Sequence, residues 1–178
     1  DLRDLHLFAL RQRQMCIRDS PRTGEIIKGH VTLGSLRIRQ DFMIALGLID
    51  QPFLEDNNKE NIALEMALSR IRQLSAHEIG HTLGFAHNFT ASANLRSSVM
   101  DYTHPNITFR NGEISISEAY ENGIGEWDKV SLAYSYSHFP KNINEKNALD
   151  SILTKSALDG HRFITAKAAR PIGGAHPV

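Results

Sequence analysis

Residues 77–87 read His-Glu-Ile-Gly-His-Thr-Leu-Gly-Phe-Ala-His, and no other stretch of the chain constrains its local structure so tightly. On a helix, His77 and His81 stand about 40° apart around the axis, so both imidazoles can face one metal ion. Glu78 falls between them in rotation. It can meet a water on that ion but sits too close in sequence to serve as an independent ligand, which suits it to proton transfer. Gly84 is a natural helix stop, and its access to positive φ lets the chain bend so that His87 returns to the same ion.

Three neutral imidazoles with one position left open describe a catalytic zinc site, whereas structural zinc sites are normally closed by four ligands and rich in cysteine. The single cysteine, Cys16, excludes a cysteine-based zinc knuckle and an intramolecular disulfide. Zinc held this way lowers the pKa of its water toward about 7 and polarises a carbonyl, while Glu78 can take the water's proton and pass it to a leaving amine. The chemistry implied is hydrolysis of a peptide bond without a covalent intermediate. A bare HExxH fixes only three positions and can arise by chance; here five positions match, on a helix that hydrophobic spacing predicts independently.

That spacing comes from Leu64, Leu68, Ile71 and Leu74, in a pattern unbroken to Leu83. Upstream, Pro-Arg-Thr-Gly at 21–24 signals a turn, and the β-branched run 26–33 predicts a strand. Ser35 is placed to cap a short helix over 36–48, and the polar residues 50–60, with Pro52 and Asn57-Asn58, predict a surface loop. Residues 85–102 have no period and predict irregular structure around the site. Asn111-Gly112 is the preferred pair for a type I′ turn, which predicts a hairpin over 107–116. Helices are expected over 126–136 and 144–158, the second with Leu149, Ile152, Leu153 and Leu158 available for burial. From Gly160 onward no distinct element is expected.

At 178 residues and 41% hydrophobic content, the chain fits one globular domain. Its 20 basic residues balance 20 acidic ones, so no net field favours nucleic acid or an anionic membrane surface as a partner. No apolar run reaches the roughly 18–20 residues of a membrane helix, and no signal peptide opens the chain. Residues 10–20 (LRQRQMCIRDS) resemble translated adaptor read-through at the edge of an assembled sequence, so residues 1–20 are expected to be a leader foreign to the fold.

HEIGHTLGFAH resembles the extended zinc signature of the metzincin clan of endopeptidases, and Ser97-Ser98-Val99-Met100-Asp101-Tyr102 resembles that clan's Met-turn, with Met100 thirteen residues past His87. The wider text is similar to EcxA-like bacterial zinc metallopeptidases over 21–178, most clearly in PRTGEIIKGHVTLGSLRIRQDF (21–42), RIRQLSAHEIGHTLGFAHN (70–88) and GIGEWDKVSLAYSY (123–136). The resemblance implies His77, His81 and His87 as zinc ligands, Glu78 as general base, Gly84 as the bend and Met100 as an apolar floor under the imidazoles. Tyr102 stands where astacins and serralysins have a swinging fifth ligand; a buried tyrosine bonded to backbone is the plainer alternative. Asn88, after the third histidine, fits none of the best-known metzincin families.

The resemblance also implies an α+β fold, in which a twisted mixed sheet, partly missing, packs on a long active-site helix. A mostly irregular and helical C-terminal subdomain with the Met-turn follows. It implies a catalytic domain over 21–178 truncated at both ends, an extracytoplasmic location (periplasmic or secreted) and a protein or peptide substrate. Strand 26–33 would form the upper rim of the cleft and pair with extended substrate, or else be an ordinary interior strand.

His30, His104, His138, His161 and His176 have no partner at ligand spacing and read as surface or satisfied core residues, His104 being nearest the Met-turn. Asn88-Phe89-Thr90 and Asn106-Ile107-Thr108 match a glycosylation triplet, though a glycan at Asn88 would crowd the metal. Trp127 and Asp128 are assigned structure rather than chemistry. Two other readings remain: a zinc-binding domain that only holds peptides, which the presence of Glu78 disfavours, and an incomplete fragment without activity.

Overall fold

Two strands, β1 (Arg13–Asp19) and β2 (Ile26–Leu33), form an antiparallel hairpin in the computed structural model, which describes residues 13–49, 57–94, 96–102 and 104–169. Partners run from Arg13 opposite Leu33 to Arg18 opposite Lys28, and the register slips where Asp19 meets Ile26. The turn closes through Ser20 N–H to Glu25 O at 2.8 Å and Gly24 N–H to Ser20 O at 2.9 Å, with Gly24 at φ 71°. Strand β2 has the bounds its β-branched residues predict. Strand β1 lies within the residues expected to be a leader, and it pairs along the length of β2.

Helix α1 (Ser35–Leu48) follows directly. Its N-cap is Gly34 rather than Ser35, and no side chain caps that end. Helix α2 (Asn57–Thr82) begins inside the stretch expected to be loop, so residues 57–60 are helical; residues 50–56 lie outside the described residues. Where α1 packs on α2, Ala45 and Ala63 share one buried cluster with Met66, Ile116 and Ala119, and Phe42, Leu46 and Tyr120 pack around it. Alanines let the two helices approach closely, and the larger side chains at the rim then bury apolar surface worth roughly 25 cal/mol per Å².

The inner face of α2 is rotated from the stripe that its leucines mark. Leu74 is buried, but Leu64 is exposed and Leu68 and Ile71 are half-buried. The buried positions include Ala63, Met66, Ala67, Arg70, Gln73, Leu74, His77 and Glu78, which also recur every three or four residues. This face also carries polar groups: Arg70 donates to Gln73 Oε1, and its guanidinium lies over the Tyr120 ring, 5.2 Å from the centroid. Strand β2 meets the C-terminal end of α2 at Gly29, where an added Cβ would stand 2.9 Å from the Cβ of Thr82. Glycine is what permits that approach.

Strands β3 (Thr108–Arg110) and β4 (Glu113–Ser115) make the second hairpin. Asn111 at φ 55° and Gly112 at φ 86° supply the two positive angles of a type I′ turn, as their identities predict. Among the described residues each sheet is two-stranded and antiparallel, so the expected mixed sheet is not among them. Helices and small sheets nonetheless coexist as in an α+β chain. These elements belong to one compact unit, which runs to Leu83 and includes His104–Gly123.

The other unit comprises Gly84–Thr103 and the residues from Ile124 on. Its first part is irregular apart from a short 3₁₀ helix, Ala91–Asn94. Helix α3 (Glu126–Tyr136) has its predicted bounds, and α4 (Glu145–Leu158) is capped by Asn144, whose Oδ1 accepts the Asn147 N–H at 3.1 Å. On α4, Leu149 and Ile152 are half-buried while Leu153 and Leu158 are exposed, and Ser156 takes the buried position. Beyond α4, Phe163 stacks on Trp127 at 5.5 Å, and a short helix α5 (Ala166–Ala169) ends the described chain. Among the described residues no helix is long and apolar enough to cross a membrane.

Candidate metal centre

His77 and His81 sit on successive turns near the C-terminal end of α2. Their Nε2 atoms are 3.1 Å apart, and the rings stand perpendicular with centroids 4.7 Å apart. Two nitrogens bound at about 2.0–2.1 Å to one tetrahedral zinc lie about 3.3 Å from each other. The helix has therefore already spaced this pair as ligands of one ion. Beyond Thr82 the helix stops, and Gly84 adopts φ 91°, the conformation that its role as a bend requires.

His87 joins the pair: one candidate ligand atom from each of His77, His81 and His87 lies within 4.8 Å of the others. Among the described residues no other group of histidine, cysteine or acidic side chains converges in this way. Imidazole nitrogens without thiolate, at separations that a ring rotation brings to bonding distance, are a donor set that fits zinc and leaves a fourth position open. His77 is buried, and His81 and His87 are half-buried. Glu78, next to His77, is buried at 6% exposure.

Tyr102 is 53% exposed. Its ring lies against His87 with centroids 4.8 Å apart and planes tilted by 38°. Phe89 completes the group, 5.7 Å from His87 and 6.1 Å from Tyr102. Met100 is buried, and its carbonyl accepts the Asn88 N–H at 3.0 Å, tying the turn at Val99-Met100 to the residue after His87.

That turn is held by a side chain whose part no motif announces. Asp128, buried in the first turn of α3, accepts hydrogen bonds from Val99 N–H at 2.8 Å, Gly125 N–H at 2.8 Å and the Ser98 hydroxyl at 2.5 Å. The Ser98 oxygen in turn accepts the Met100 N–H at 2.9 Å. The carboxylate thus has three donors, enough to offset its burial. Gly125 makes the junction possible, since a Cβ there would fall 2.1 Å from the Ser97 carbonyl oxygen. In the same turn of α3, Glu126 pairs with Lys129, whose hydrogen bond and charge hold its exposed carboxyl below the ordinary carboxylate pKa.

Among the described residues no other histidine joins the group of His77, His81 and His87. His30 bonds Thr32 Oγ1 at 3.0 Å, His104 and His138 are exposed, His161 is half-buried, and His176 lies outside the described residues. Asn88 is fully buried, so the triplet at 88–90 offers no surface acceptor for a glycan.

A family model described as Met-zincin matches residues 59–178, a span that starts early in α2 and holds His77, Glu78, His81, His87, Met100 and Tyr102. Neither the curated proteins nor the solved structures compared with the chain include a match. With the histidine triad in place and more than half of its length matched, the chain belongs to the Met-zincin family.

Proposed function

We propose that this chain is the catalytic part of a zinc-dependent endopeptidase. The observation that carries the reading is the convergence of His77, His81 and His87 to within 4.8 Å, on a helix that also bears Glu78, in a Met-zincin chain. His77, His81 and His87 would hold the ion. Zinc, when bound, supplies Lewis-acid polarisation of the scissile carbonyl and a water acidic enough to be deprotonated near neutrality. The Glu78 carboxylate accepts that water's proton and delivers it to the leaving amine, which suits a general base whose reach is set by the adjacent ligand.

Tyr102 donates its phenolic O–H to the oxygen that gains charge during attack, a role supported by the packing of its ring on His87. Met100, buried in its turn, would form the apolar floor of the centre, with 97–102 as the Met-turn. The substrate is protein or peptide in an extended conformation, and the edge of β2 not paired with β1 is the candidate rim for main-chain pairing. Similarity of 21–42, 70–88 and 123–136 to EcxA-like bacterial enzymes supports an extracytoplasmic location.

The test is Glu78→Gln, which leaves every imidazole in place. It should retain zinc at the wild-type stoichiometry and lose casein hydrolysis by at least about 10²-fold, the usual scale of a lost proton acceptor. Undiminished cleavage by that variant would overturn the reading.

A further inference from the structure

We propose that Asn88 is the positioning residue of the third metal ligand. It ties the backbone that carries His87 to the segment 162–164 beyond α4, so that zinc affinity depends on a side chain that does not touch the ion. The inference rests on the zinc reading above, and its test separates the two.

Asn88 follows His87 directly and is fully buried. Its Nδ2 donates to the Arg162 carbonyl at 2.9 Å, and its Oδ1 accepts the Ile164 N–H at 3.2 Å and the Thr90 N–H at 3.3 Å. The Thr90 hydroxyl lies 2.7 Å from both Asn88 Oδ1 and the Arg162 carbonyl and can donate to either. Two backbone bonds run alongside: Asn88 N–H to Met100 O at 3.0 Å and Phe89 N–H to Ile164 O at 3.1 Å.

Only a carboxamide satisfies this arrangement. Its amino group faces a carbonyl and its oxygen faces N–H donors, so the flipped amide would set donor against donor and acceptor against acceptor. An isosteric carboxylate would press an anionic oxygen against the Arg162 carbonyl. The bonds reach 74 and 76 residues along the chain, and they fix the residue beside His87 against that segment. Glycine at 84 leaves the bend before His87 open to several conformations, and the Asn88 clamp selects one of them before metal arrives. Without it, metal binding itself must order the bend, and that cost appears as weaker affinity. Outer-shell partners of this kind typically contribute about 10- to 100-fold in metal affinity.

The experiment measures zinc affinity by chelator competition and the visible spectrum of the Co(II)-substituted protein. Wild type is compared with Asn88→Ala, Thr90→Val, Thr90→Ser and His87→Ala, alongside thermal unfolding of each zinc-free protein. Asn88→Ala should bind zinc about 10- to 100-fold more weakly, with a Co(II) spectrum shifted toward that of His87→Ala. Thr90→Val, close to isosteric, should weaken zinc in the same direction, and Thr90→Ser should restore it. Should Asn88→Ala fail to fold, the threonine pair carries the test alone. Wild-type zinc affinity and an unchanged Co(II) spectrum in Thr90→Val and in any folded Asn88→Ala would overturn the proposal, even if their melting temperatures fell. A wild-type protein that binds zinc no more tightly than His87→Ala would overturn the metal reading as well.

Discussion

The carboxylate of Asp128 accepts the backbone N–H of Val99 at 2.8 Å across 29 residues of chain, and through Ser98 it also governs the N–H of Met100. The first turn of α3 is thereby the mould of the turn at 99–100. In Asp128→Ala, the N–H groups of Val99 and Gly125 and the Ser98 hydroxyl all lose their acceptor. Hydrogen bonds to a charged group are worth about 1.5–3 kcal/mol each, so the variant should lose about 2–3 kcal/mol of stability in a denaturant titration. A loss below about 0.5 kcal/mol, the scale of an inert surface change, would show that the turn does not depend on Asp128.

Gly84 has φ 91° and open space around its α-carbon, so backbone strain is the whole cost of a side chain there. Alanine in such a conformation costs about 1–2 kcal/mol, and asparagine costs less because it tolerates positive φ. Gly84→Ala should therefore destabilise the zinc-free protein by about that amount, with Gly84→Asn intermediate. Unfolding of the purified variants by heat checks the order. Equal stability of all three proteins would mean that the bend before His87 is relaxed when occupied by any residue.

The histidine cluster is legible in the sequence because its parts are local. Helical geometry alone aligns His77 with His81, and a glycine three residues before His87 announces the bend. The Asn111-Gly112 turn and the bounds of α3 are legible for the same reason, being fixed by residues in immediate succession. What escapes a linear reading is long-range. Ser98 and Asp128, or Asn88 and Arg162, carry no spacing rule that marks them as partners. The inner face of α2 escapes for another reason: spacing counts large apolar residues, whereas the helix buries alanines and the hydrogen-bonded Arg70 and Gln73 and leaves Leu64 exposed. On α4 the same bias assigns Leu158 to the interior, although it lies at the exposed C-terminal end of the helix.

Zinc should stabilise the folded chain in a pH-dependent way. A ligand that binds only the folded state adds RT ln(1 + [L]/Kd), about 2.7 kcal/mol when zinc is present at 100 times its Kd. Imidazoles must be deprotonated to coordinate, so this increment should be full well above the ordinary histidine range near pH 6.5 and should vanish as pH falls through it. Melting temperatures measured with zinc and with chelator from pH 5 to pH 8 should converge at the acid end. A zinc increment that stays constant over that range would exclude a centre made of three histidines.

The most direct measurement is zinc-edge X-ray absorption on the metal-loaded wild-type protein and on His87→Ala. Three imidazole nitrogens and one oxygen donor at about 2.0–2.1 Å are expected for the wild type, falling to two imidazoles in His87→Ala while His77 and His81 remain. An unchanged imidazole count after loss of His87, or sulfur in the first coordination shell, would contradict the three-histidine centre.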